Sequence, residues 1–310
     1  MWRTAALLFL SLAVFAVACS TAGSADRSSA ASGSPSGGQP RTEVVASEAT
    51  SGAGETVEAT VGVAARIKKT GGPSGVPFVA RPASGGSSYE ADTILAVGYG
   101  VHESCELVVL DLGTDDKPAK TVPEWTLMSP KGGGLLRVTL PSLSATGVSD
   151  GRFGNDPLKR FYVVRAPEGG MFVDILARRV FTYRVLELSS PARLVVDFKP
   201  SGKPLEVPLP KAGGNTVLIE PRAGARIDPP SHRQRLPPQL RGVEHRRPGE
   251  FQGEVVARQT VRSNEWISTW GYFDATLDLP PFGRRGTLRV GIESARDGTY
   301  KGVEVPIRGR

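Results

Sequence analysis

The chain has 310 residues, 39% of them hydrophobic, with 37 Gly, 25 Pro and two Cys. That length accommodates two modules of ordinary size beside flexible segments. The Gly and Pro content favours short strands and turns over long helices, and two cysteines of unlike setting exclude a disulfide framework. A formal charge of +7 and a pI near 9.6 imply attraction to anionic polymers or lipid headgroups, which bears on association and leaves the fold open.

Arg3 provides a short positive start, and Ala5 to Val17 is an apolar run of signal-peptide length. It is too short for a comfortable membrane span. The run ends in Ala16-Val17-Ala18-Cys19, which resembles the lipobox of bacterial lipoproteins, where the cysteine sulfur receives a diacylglyceryl group. That resemblance implies a signal peptide over residues 1–18, lipidation at Cys19 and anchorage to the outer face of the cell membrane. Ala16 stands where leucine is commonest in lipoboxes, so the alternative is ordinary cleavage and secretion. Ser20 to about Gly54 has almost no large apolar residue and reads as a disordered tether, with a root-mean-square span of roughly 30 Å. Thr56 to Lys69 is more apolar and suits a strand or short helix, broken by Gly71-Gly72-Pro73. Residues 19–90 are thus expected to be mostly disordered.

From 91 to 200, runs such as Glu106–Leu112, Leu135–Leu140, Arg160–Arg165, Met171–Leu176, Tyr183–Leu188 and Arg193–Phe198 alternate with turn residues such as Gly132-Gly133-Gly134, as hairpins require. In Tyr183–Leu188 alternation puts one side in the core and leaves Arg184 and Glu187 near water. Arg193 and Asp197 share a strand face and are expected to pair. The segments Val97-Gly-Tyr-Gly-Val-His102, Leu107-Val-Val-Leu-Asp111 and Leu188-Ser-Ser-Pro-Ala-Arg-Leu-Val-Val-Asp197 together resemble the AMIN-like domains of bacterial envelope proteins. The resemblance implies a β-sandwich that targets peptidoglycan or an envelope complex. Relatives often carry an Asp-Arg pair before the central apolar strand, whereas this chain has Cys105-Glu106.

From 213 to 310, Thr216–Glu220, Glu254–Val261, Phe273–Leu279, Thr287–Glu293 and Gly302–Ile307 alternate as a small antiparallel sandwich would. Leu288, Val290 and Ile292 share one face, and Phe273, Leu277 and one of Trp266 or Trp270 are expected in the core. Ile219-Glu-Pro-Arg-Ala-Gly-Ala-Arg226, Trp270-Gly-Tyr-Phe-Asp-Ala-Thr-Leu277, Gly286-Thr-Leu-Arg-Val290, Ser294-Ala-Arg-Asp-Gly298 and Val303-Glu-Val-Pro306 follow the order of the immunoglobulin-like domain of bacterial spore-germination proteins, Gmad2, and resemble it. That family implies an extracellular, non-enzymatic module.

Candidate sites are few. Arg222, Arg226, Arg233, Arg235, Arg241, Arg246 and Arg247 crowd a Pro-rich stretch, a candidate anion-binding edge because guanidinium groups grip oxyanions bidentately; a solvated loop with scattered charge is the alternative. Trp266, Trp270 and Tyr272 are candidates for stacking on a sugar ring. Cys105 follows His102 by three residues, but no local cysteine-protease signature accompanies it, and a buried small hydrophobe is the better reading. Three histidines without a Cys/His cluster argue against zinc. Asp111, Asp115 and Asp116 lack the spacing of a calcium loop and read as a solvated turn. No dinucleotide loop, Walker motif or nucleophile elbow occurs, and no reading helix or basic-aromatic platform suggests nucleic acid.

The expectation is an all-β, two-module, lipid-anchored envelope protein. It takes no cofactor and no metal, is not an enzyme, and binds peptidoglycan, anionic wall polymer or an envelope protein partner, with a link to sporulation or germination. The alternatives are an accessory subunit or regulator of a separate wall hydrolase, and an extracytoplasmic solute receptor.

Overall fold

Along Leu135–Leu140, Leu136, Val138 and Leu140 are fully buried while Arg137 and Thr139 are half-buried on the other face, the period-two pattern of a strand with one dry side. Strands of this kind make up the molecule. The computed structural model describes residues 76–309, apart from 102–103, 131–132, 155–156, 228–234, 237–242, 246–253, 266, 278, 280–284 and 294–295. Those described are all-β.

The first module is a sandwich of two sheets. One runs Ala83–Gly85, Trp125–Met128, Leu135–Leu140, Met171–Ala177 and Leu158–Arg165, antiparallel throughout. The other runs Arg179–Leu188, Arg193–Pro204, Glu106–Thr114 and Thr93–Val101, closed by a short parallel pairing with Ala145–Thr146. Their inner faces interdigitate through Ile94, Leu110, Val138, Phe161, Val173 and Phe198, a dry core whose burial is the main stabilising term. Asp115 and Asp116 are exposed in the two-residue turn between Thr114 and Lys117, and Asp115 adopts φ 52° there, as such tight hairpins demand. Asp111 is directed elsewhere, onto Arg193 at 2.6 Å.

Ordered pairing begins before residue 91. Val79 exchanges backbone hydrogen bonds with Tyr183, and Ala83–Gly85 is an edge strand, so part of the stretch assigned to the tether belongs to the sandwich. The Trp125 indole and the Gly86 amide both donate to the Glu187 carboxylate at 2.8 Å. The expected pairing of Arg193 with Asp197 is not formed. Four residues along a strand span roughly 13 Å, whereas directly opposed side chains on adjacent strands lie far closer. Arg193 therefore meets Asp111, and Asp197 meets Arg184 at 2.7 Å. Arg184 is buried, contrary to expectation, under the Phe78 ring.

In the second module Glu254–Ala257, Val243–His245, Gly286–Glu293 and Tyr300–Ile307 form a four-stranded antiparallel sheet. Leu288 and Val290 are buried with Leu218, Leu277, Val303 and Val305. Ile292 shares their parity but is exposed beyond the edge of that core. Phe273 and Leu277 are buried as expected.

Candidate functional site at the module junction

The most densely built polar site joins the two modules. Met171–Ala177 is buried at every position, so a single inner core does not account for it. Its outward residues Phe172 and Leu176 pack with Leu135, Tyr162 and Val164 against Val217, Ile219, Trp270 and Tyr272 from the downstream chain.

The contact is also a strand addition. The free edge of Leu158–Arg165 is shared along its length: Asp150–Arg152 pairs antiparallel with residues 160–162, and Trp270–Gly271 pairs parallel with Val164 and Arg165. Covering an open edge in this way satisfies backbone groups that otherwise invite foreign strands. Side chains secure it. Asn264 donates from Nδ2 to the carbonyls of Arg165 and Ala166, at 3.2 and 3.1 Å, while its Oδ1 accepts from the Tyr272 amide at 2.7 Å. Arg165 pairs with Glu265 at 3.2 Å, and the Thr269 hydroxyl donates to the Val163 carbonyl at 2.6 Å. The Trp270 indole donates to Asp150 at 3.0 Å and meets the Tyr162 ring edge-on, with centroids 4.9 Å apart. No room remains at Gly271, where an added Cβ would lie 1.9 Å from Ser263 Oγ and 2.1 Å from the Glu265 carbonyl oxygen.

Beneath these rings Arg137 forms a bidentate pair with Asp174, both contacts 2.7 Å, and its guanidinium lies 3.9 Å from the Phe172 ring centroid. Burial on its own lowers the Arg137 pKa, but the Asp174 carboxylate, with a smaller effect from Tyr272, more than offsets this and raises it above its usual value. The Tyr162 phenol is pushed up to about 12, first by burial, with Arg160 opposing and Asp150 reinforcing. Its hydroxyl has no hydrogen-bond partner among the described residues. The half-open pocket that these residues line is about 30 Å³, room for about one water.

The structure thus redistributes the residues singled out from sequence. Trp270 and Tyr272 do come together, each half-buried, with their rings packed against Tyr162 and Phe172 at the junction; Trp266 lies outside the described residues. Arg222 is buried, with Nε on Glu220 at 3.1 Å and Nη1 on the Pro208 carbonyl at 2.9 Å, so it braces the connection between modules and presents no guanidinium to a solute anion. Arg226 is exposed beside Arg308, whose backbone it joins in a bridge. Arg235 lies in a two-residue strand opposite Thr276, while Arg233, Arg241, Arg246 and Arg247 fall outside the described residues, as does His102. Cys105 is buried and disulfide-bonded, not the unpaired small hydrophobe expected, and it offers no thiol nucleophile. Among the described residues no three His, Cys, Asp or Glu side chains gather as a metal site, and no helix is long and apolar enough to cross a membrane.

Sequence reading missed Asp150, Arg165, Asn264, Glu265 and Thr269. Each is an ordinary polar residue whose partner lies far along the chain, up to 120 positions for Trp270 and Asp150. The one available signal was the nearly continuous apolar run of Met171–Ala177, interrupted by Asp174 alone, which marks a strand covered on both faces.

Comparison with curated proteins and with solved structures gives no match. Residues 250–299, which include the whole of the junction segment 263–272, match the family model Gmad2, the immunoglobulin-like domain of bacterial spore germination.

Proposed function

We propose that the chain is a non-enzymatic envelope protein, exported and held at the outer face of the membrane by lipid on Cys19, whose two β modules act as one body that binds wall polymer. The observation that carries this reading is the junction. A module of the spore-germination immunoglobulin-like type lends a strand and two aromatic rings to the sandwich before it, so the surfaces of both modules keep a fixed relation. Fixed surfaces suit a binder, because less freedom is lost on association. The AMIN-like pattern of residues 97–197 supports the choice of wall material, and anchor plus wall contact would raise the effective concentration of each.

Lipidation has a chemical condition attached. Cys105 is disulfide-bonded and the chain holds one other cysteine, Cys19; a sulfur joined to diacylglycerol by a thioether cannot also enter a disulfide, so the proposed anchored form is one in which Cys105 is released from that bond. Intact mass of the membrane fraction separates the outcomes: a diacylglyceryl increment with free Cys105 supports the anchor, and a Cys19–Cys105 crosslink rules it out. Wall binding is tested by pelleting the purified chain with insoluble peptidoglycan, before and after anionic polymers are stripped, at low and high salt. Salt-sensitive pelleting that stripping abolishes identifies an anionic polymer, pelleting that survives identifies the glycan, and none in either case overturns the reading.

A further inference from the structure

A second feature lies at the far end of the strand that carries the junction. Arg152 stands directly opposite Arg160 across the pairing of Asp150–Arg152 with Leu158–Arg165, which sets two cations side by side on one face of the sheet. Lys159 adjoins it, exposed, and its backbone is fixed by the bond from Phe153 N to its carbonyl at 3.0 Å. The Arg178 amide donates to the Pro157 carbonyl at 2.7 Å, which brings an exposed third arginine to the same end of the sheet. The connection between modules crosses here too, since Leu205 and Leu209 pack on Gly134 and deliver exposed Lys211. Burial first, and then the charges of Arg178, Arg160, Arg152 and Lys211, hold the Lys159 ammonium below its usual pKa. Asp150 answers Arg160 at 3.0 Å. Among the described residues no carboxylate pairs with Lys159, Arg178 or Lys211.

We propose that Arg152, Lys159, Arg160, Arg178 and Lys211 form a binding surface for a phosphate-bearing polyanion. Lys159, Arg178 and Lys211, gathered beside Arg152 and the Asp150-paired Arg160, are stabilised by a multivalent anion that replaces many small counterions, and guanidinium groups take phosphate oxygens bidentately. None of the exposed large apolar side chains among the described residues lies on the segments carrying the cluster, which favours a hydrophilic polymer over insertion into a lipid surface. The surface rests on the wall-binding reading above and places the anion contact at the end of the first module's sheet and on the connection to the second, without a role for Arg222.

The test is binding of the full chain to immobilised long-chain inorganic polyphosphate across a salt series. It compares wild type, the variant Lys159→Ala/Arg178→Ala/Lys211→Ala, and a charge-matched control, Lys117→Ala/Arg258→Ala/Arg262→Ala, whose sites are also exposed. The cluster variant is expected to bind roughly tenfold or more weakly, with a salt slope shallower by about two, and the control to stay within about twofold of wild type. Unchanged melting shows that each variant is folded; Lys159→Gln alone, expected to lose about threefold, serves if the triple variant is not. Equal losses in both triple variants, or none in either, overturn the surface. If wild type pellets with walls but ignores polyphosphate, the polyanion is overturned while wall binding stands; if it does neither, both fall.

Discussion

Tyr162 carries its hydroxyl into the junction without a partner among the described residues. Its phenol ionises near 10.0 in the unfolded chain and at about 12 in the fold. Its contribution to stability is therefore fully present below about pH 10 and is lost as pH climbs towards 12, by roughly 2–3 kcal/mol at the usual 1.36 kcal/mol per unit. Tyr162→Phe removes the titrating group and an unsatisfied hydroxyl together, so it should leave stability at neutral pH unchanged or up to about 1 kcal/mol higher, and flatten the alkaline fall. Urea midpoints at neutral pH and near pH 11 check both halves; a large loss at neutral pH would show that the hydroxyl is bound after all. Arg137 and Asp174 behave in the opposite way. Arg137→Ala strands a carboxylate whose side chain is 3% exposed, at a cost of about 3–5 kcal/mol, and joint replacement by Met and Leu should recover most of it. Urea melts of the two variants decide this, and equal losses would remove the ion pair as the cause.

Strands were legible where one face is dry. Leu135–Leu140 and Gly286–Val290 announced themselves by alternation, as did the buried pair Phe273 and Leu277. Cross-strand partners were not legible, because register depends on loops that bring distant segments level. Arg193 was matched to a residue on its own strand when its partner stood opposite, at Asp111. Register also explains the tight meeting of Gly291 with Gly302, where an added Cβ on Gly302 would lie 2.2 Å from the Val290 carbonyl oxygen and 2.6 Å from the Gly291 Cα. The hairpin strand Lys211–Gly213 packs onto this spot, with an added Cβ at Gly213 2.8 Å from the Gly302 carbonyl oxygen. Gly302→Ala should separate the layers and destabilise the second module by roughly 1–3 kcal/mol, measured by loss of amide protection in Gly286–Glu293 and Tyr300–Ile307. Unchanged protection would mean that the sheet relaxes around the methyl group.

At the scale of the molecule, two β modules in series were legible, but their union was not. Trp270 and Tyr272 carry the signature of a surface aromatic pair and of a core pair equally, and only the position of Met171–Ala177 in the finished sheet shows that both rings bury against a neighbour. The match to the spore-germination domain over residues 250–299 contains that joining segment, so the second module is both a unit of its own and the last edge of the first. This union predicts cooperative unfolding, since neither module keeps its full set of contacts when the other opens. Scanning calorimetry of the wild-type chain beside Trp270→Ala tests it most directly. The account predicts one transition for the wild type, and for the variant, which loses the Asp150 bond and the Tyr162 contact, a drop of about 2–4 kcal/mol with separation into two transitions. Two independent transitions already present in the wild type, with the first module's transition unmoved by Trp270→Ala, would contradict it.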